Sequence, residues 1–112
     1  MASVVNAEDL KSSPTAARFE GGRFGSSVSF FLTNHPPGAR VELHCHPYDE
    51  TFVVEAGSAT FNVDGQAVHA REGQIVIVPA GAVHGFVNDG DGPLRVVGIH
   101  PSEWIEQEQV ES

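Results

Sequence analysis

Cysteine occurs once in the 112 residues, which excludes an internal disulfide and leaves the fold to its apolar core. Basic residues are scarce too: six Lys and Arg stand against 15 Asp and Glu, for a formal charge of -9. Nucleic acid and anionic membranes both need clustered cations, so neither is expected as a partner. No apolar run reaches the roughly 18 residues of a membrane-spanning helix, and none is expected. The opening residues, Met1-Ala2-Ser3-Val4-Val5-Asn6-Ala7-Glu8-Asp9, lack a basic start and an apolar stretch, so no signal peptide is expected and the cytoplasm is the expected location. Helical periodicity is nearly missing as well. What remains is a length suited to one compact domain.

The chain does have 12 Gly and 7 Pro, and they punctuate short apolar runs. Strands are expected at Ser27–Asn34, Arg40–His46, Thr51–Glu55, Ala59–Val63, Ala67–Ala70, Gln74–Val78, His84–Asn88 and Leu94–His100. Asp64-Gly65 is the clearest hairpin signal, because the pair suits the two positive-φ positions of a type I′ turn. Such a series indicates an all-β, antiparallel sandwich or barrel over residues 23–100. Residues 1–22 are expected to pack on it, with Ala7–Leu10 compatible with helix. In residues 101–112, Pro101-Ser102-Glu103 reads as the capped start of a short C-terminal helix docked by Trp104 and Ile105. Trp104 is expected to be a packing anchor and not a lid.

Histidines carry the chemistry. Alternate residues of a strand share a face, so His44 and His46 project together, and Pro47-Tyr48-Asp49 can turn Glu50 in beside them. His84 opens another strand after the Pro79-Ala80-Gly81 turn. Three imidazoles and a carboxylate converging inside a barrel would suit Mn, Fe, Co, Ni, Cu or Zn.

The full spacing resembles the cupin superfamily. A first motif, G-x5-H-x-H-x3-4-E-x6-G, is matched by Gly38, His44, His46, Glu50 and Gly57. A second, G-x5-P-x-G-x2-H-x3-N, is matched by Gly73, Pro79, Gly81, His84 and Asn88. With residue types at a few per cent each, a chance match at every fixed position is negligible. The resemblance implies a jelly-roll (cupin) barrel and one divalent transition metal held by His44, His46, Glu50 and His84. It leaves the reaction open, because the fold carries many chemistries.

Parity sketches the pocket. On a regular strand Arg40 and Glu42 share the face of His44 and His46, while Phe52 and Val54 follow Glu50, and Phe86 follows His84. Phe52 and Phe86 are therefore expected as apolar walls, with Arg40 and Tyr48 as a polar rim and Glu42 or Tyr48 moving a proton beside Glu50. Val41, Leu43 and Cys45 are expected on the outer face, Cys45 as an inert thiol. Asn88 is expected to be structural, and His35 and His69 to face solvent. His100, on the parity of Leu94, Val96 and Gly98, is expected to be an ordinary core or surface histidine, although it could reach the pocket rim.

The leading expectation is a metal-dependent enzyme acting on a small organic molecule, by dioxygenase-type chemistry or, closely behind, isomerase or lyase chemistry. The alternatives are a non-catalytic small-ligand module and a purely structural metal. Phe30-Phe31-Leu32 places large apolar groups on both faces of one strand, so a homodimer is expected.

Overall fold

The computed structural model describes residues 2–110. Eleven strands are formed among them: β1 (Lys11–Ser13), β2 (Ala16–Glu20), β3 (Ser29–His35), β4 (Arg40–Cys45), β5 (Glu50–Ala56), β6 (Ser58–Val63), β7 (Gln66–Arg71), β8 (Ile75–Val78), β9 (His84–Asn88), β10 (Leu94–His100) and β11 (Glu108–Gln109). They make two antiparallel sheets, in the orders β1-β2-β3-β10-β5-β8 and β11-β4-β9-β6-β7. The eight expected strands are β3 to β10, with ends moved by a residue or two. The Asp64-Gly65 turn joins β6 to β7 with both residues at positive φ, 49° and 84°. The all-β antiparallel build is the one the turn chemistry indicated, and the jelly roll is the form of it that the cupin resemblance implied.

Between the sheets lies an apolar core built on Phe52, Val54, Phe61, Phe86, Leu94 and Val96. Each sits at an alternate position of its strand, and Phe61 and Leu94 are fully buried. Side chains of that kind contribute roughly 1.5–3 kcal/mol each on burial.

Two expectations about the ends change. Ala7–Leu10 is a single 3-10 turn, and the residues after it do more than pack, because β1 and β2 extend the first sheet beyond β3. The C-terminal helix does not form. Ser102 does accept the Trp104 N–H at 3.3 Å, as a cap would. Beyond it the backbone finds better partners: Ile105 N–H donates to Glu20 at 3.0 Å, Glu106 N–H donates to the Tyr48 hydroxyl at 3.0 Å, and β11 pairs with β4. A two-turn helix is too weak to compete with tertiary bonds of that number. Trp104 lies over Gly22, where an added Cβ would come within 2.4 Å of its ring, but about half of it stays exposed, 49%, so it packs on one face only.

β3 carries apolar groups on both faces, as expected. Phe30 turns outward and stacks on Phe19, with centroids 4.6 Å apart, beside a groove that Val5, Ala7 and Leu10 also line. Phe31 turns inward to a separate cavity.

Candidate metal centre

Four buried side chains meet at one end of the barrel. One ligand atom from each of His44, His46, Glu50 and His84 lies within 4.8 Å of every other. Four local features set this. β4 delivers His44 near its end, and His46 follows just beyond it. Glu50 opens β5, with Phe52 and Val54 behind it on the same buried face. His84 opens β9, paired with His44. The turn before it is tied down by the Gly81 N–H, which donates to the His46 carbonyl at 2.8 Å.

The tautomers follow from the backbone. Nδ1 of His44 lies 2.7 Å from the Glu42 carbonyl, Nδ1 of His46 lies 2.8 Å from that of Glu106, and Nδ1 of His84 lies 2.9 Å from that of Ala82. A carbonyl only accepts, so each Nδ1 carries a hydrogen and each neutral ring turns an Nε2 lone pair inward. Those lone pairs face a carboxylate. Glu50 Oε1 lies 2.9 Å from His46 Nε2 and 3.1 Å from His84 Nε2. The His46 nitrogen is fully buried and has no aligned hydrogen bond. Lone pairs pressed against an anion need a cation among them, either a proton or a metal.

The titrations reflect this crowding. Burial pushes the Glu50 carboxyl up, but His100, His46 and His84 outweigh it and hold Glu50 well below the usual carboxylate range. Burial lowers His84, and the Glu50 carboxylate more than reverses this, so His84 ends above the usual imidazole range. His44 ends below that range, chiefly because burial disfavours its cation. The donor set of three imidazoles and one carboxylate fits a first-row transition metal, with room for further ligands. Glycine at position 98 makes space for the Glu50 carboxylate. A Cβ on Gly98 would come within 2.6 Å of Glu50 Oε2.

A family model for the cupin domain matches residues 31–100, which hold the whole quartet. The chain belongs to the cupin family.

This cupin is 36% identical over 85 residues to Protein SchB of Streptomyces halstedii, covering 75% of the chain and 57% of that protein. It is 39% identical over 59 residues to Gentisate 1,2 dioxygenase 1 of Aquipseudomonas alcaligenes, covering 52% of the chain and 17% of the enzyme. Among solved structures, Bacillus subtilis oxalate decarboxylase superposes with a TM-score of 0.77 at 26% identity, over 88% of the cupin and 29% of that chain. The cupin therefore spans little more than half of SchB and under a third of the two enzymes.

The cavity beside the quartet holds about 270 Å3 and is walled by Phe31, Val41, Phe52, Phe86 and Val96, with Ser13, Thr15 and Gln107 also lining it. Phe52 and Phe86 are thus the apolar walls that parity indicated. Arg40 and Glu42 are not part of it. Both are exposed and border a groove on the outer face of the second sheet, with Thr60 and Asn62. The reason is a bulge in β4. Val41 pairs with Phe86 and His44 with His84, so three steps on β4 answer two on β9 and the parity reverses. Val41, expected outside, therefore lines the cavity. Gly85 admits the bulge, since a Cβ there would come within 2.5 Å of the Val41 carbonyl oxygen.

Tyr48 is also absent from the cavity lining. Its ring stacks on His46 at 5.3 Å and its hydroxyl reaches His100 Nδ1 at 2.7 Å. His100, expected to be ordinary, is the residue that parity alone undervalued. It is fully buried, and its Nε2 lies 3.1 Å from Glu50 Oε2. His35 is also buried and lines the cavity, contrary to the solvent-facing position expected for it. β3 runs on to residue 35, and its parity with Phe31 and Thr33 was the available signal.

His69 is exposed beside Thr60, as expected, whereas Cys45, expected as a buried thiol, is only half-buried next to β11. Asn88 ties loop backbone together, donating to the carbonyls of His35 and Gly92 and accepting from the Gly90 N–H.

Proposed function

We propose that this cupin is a metal-dependent enzyme that acts on a small organic molecule in the barrel cavity, with His44, His46, Glu50 and His84 as the metal ligands. The observation that carries the reading is the inward convergence of three Nε2 lone pairs on the Glu50 carboxylate, fixed by three Nδ1 bonds to backbone carbonyls. When bound, a redox-active metal such as Mn, Fe, Ni or Cu supplies oxygen chemistry, and Zn or Co supplies Lewis-acid polarisation. The likeness to a gentisate dioxygenase and to an oxalate decarboxylase supports metal chemistry on small oxygenated molecules.

The chain's own residues bind, orient and dehydrate. Phe52 and Phe86 exclude water beside the ligand set, which strengthens electrostatic interactions there. In the metal-free protein Glu50 is held below the usual carboxylate range, against the effect of burial, by its contacts with His100, His46 and His84, so it would meet a metal as a carboxylate. Glu42 stands outside, and none of the described residues that line the cavity is the second carboxylate that proton-shuttling isomerase or lyase chemistry would use. That favours dioxygenase-type chemistry over those reactions. The second reading is a ligand-binding module without turnover.

The test screens the metal-loaded protein and Glu50→Gln against small enols, diketones and thiols, following oxygen uptake and product. The proposal expects turnover with the former and none with the latter. Tight binding of a ligand that is returned unchanged by the metal-loaded protein would establish the binding module instead.

A further inference from the structure

His100 differs from the ligand histidines in its tautomer. Its Nδ1 meets a hydroxyl and not a carbonyl: Tyr48 Oη lies 2.7 Å away. That hydroxyl accepts the Glu106 N–H at 3.0 Å, and its other potential acceptor, the Glu106 carbonyl, is farther off at 3.3 Å. The Tyr48 proton is therefore directed to His100 Nδ1, which leaves the His100 hydrogen on Nε2. That Nε2 is fully buried at the cavity wall, beside Glu50 but off the line of a good hydrogen bond to it. Three imidazoles thus present lone pairs to one point, and a fourth presents an N–H next to it. A second buried nitrogen without a partner, His35 Nε2, belongs to another residue that lines the same cavity.

We infer that His100, held in its tautomer by Tyr48, is the donor that positions the ligand beside the metal site, and that the ligand is a small planar phenol or enol, not a multiply charged acid. The inference rests on the proposed metal site for its setting. The walls are aromatic and aliphatic, and none of the described lining residues is Lys or Arg. A second carboxylate on the ligand would lose its hydration there with no cation to receive it. A phenol or enol oxygen next to the metal ligands would meet the His100 N–H, while its ring or double bond would lie against Phe52 and Phe86. At about 270 Å3 the cavity falls below the roughly 300–1,000 Å3 that suits drug-sized ligands, so the ligand is small.

The experiment titrates 4-nitrocatechol, a coloured diphenol, onto the metal-loaded protein, with oxalate as the charged comparator. The variants are His100→Gln, His100→Ala and Tyr48→Phe. Metal content and thermal melting are measured on the same samples. The expected result is that all variants keep their metal and fold. His100→Ala weakens 4-nitrocatechol by about tenfold or more, as the loss of one hydrogen bond to a charged oxygen does. His100→Gln recovers part of that loss, and Tyr48→Phe weakens binding less than His100→Ala. Oxalate binds wild type more weakly than 4-nitrocatechol and is indifferent to His100→Ala. Undiminished 4-nitrocatechol affinity in folded His100→Ala or His100→Gln would overturn the donor role. Oxalate binding as tight as 4-nitrocatechol would overturn the ligand class. Wild type that takes up no metal would contradict the metal site alone, because the titration still reads a donor that faces the cavity with or without metal.

Discussion

The two ends of the barrel interior follow opposite rules. Around Phe61, Val54 and Leu94 the interior is apolar, and these side chains are at most 1% exposed. Around Glu50 the burial is just as deep, but it encloses four imidazoles and a carboxylate, among them nitrogens without an aligned partner. The first arrangement gains free energy from leaving water. The second loses hydration and recovers it only when a cation or ligand completes it. The comparison assigns stability to one end of the fold and binding to the other.

Substitutions should separate the two. The largest effect on folding is expected from Phe61→Ala, which removes a fully buried ring between Phe52 and Phe86 and should cost about 3–5 kcal/mol in urea unfolding. The folded fraction should still take up metal. Gly98→Ala should do the reverse. Its new Cβ meets the end of the Glu50 side chain first and the edge of the Phe52 ring at 3.2 Å, and no backbone, so the fold gives by a few tenths of an ångström while the carboxylate is displaced. Metal affinity, read by competition with a chelator, should fall by about 10- to 100-fold. Loss of folding without loss of affinity would erase the contrast.

Between these lies Gly85→Ala, where the clash is with the Val41 carbonyl, so the β4 bulge itself must yield. Melting temperature and metal affinity should fall together.

The smallest effect concerns pH. Burial holds the His35 pKa below its ordinary value. Between that lowered value and about 6.5 the unfolded chain binds more protons, so stability rises with pH there. Its contribution is complete above about 6.5 and is lost as pH falls through the lowered value. In metal-free protein, wild type should lose more unfolding free energy between pH 7.5 and 5.5 than His35→Gln does. Parallel losses in the two proteins would place His35 in water.

Much of this contrast was legible in the amino-acid order. Asp64-Gly65 and the Pro79-Ala80-Gly81 turn mark the ends of strands because few other residues adopt those angles. The spacing of His44, His46, Glu50 and His84 named the cluster that the two sheets bring together. Arg40 and Glu42 were misplaced because parity assumes a regular strand, and the bulge depends on Gly85 in a strand far away in sequence. The short helix after Pro101 was misread for a related reason. Its competitors, Glu20 and Tyr48, are tertiary partners that no local window contains. His100 had the right parity, but its contact with Glu50 depends on β10 lying beside β5.

The central claim is that the buried polar end is a metal site, and one measurement meets it directly. The purified full chain, reconstituted with a first-row divalent metal, would be crystallised and its anomalous scattering recorded. The account predicts one metal per chain, with His44, His46 and His84 Nε2 and a Glu50 oxygen at roughly 2.0–2.3 Å. Full occupancy at another position, or no anomalous peak among these four residues at saturating metal, would contradict it.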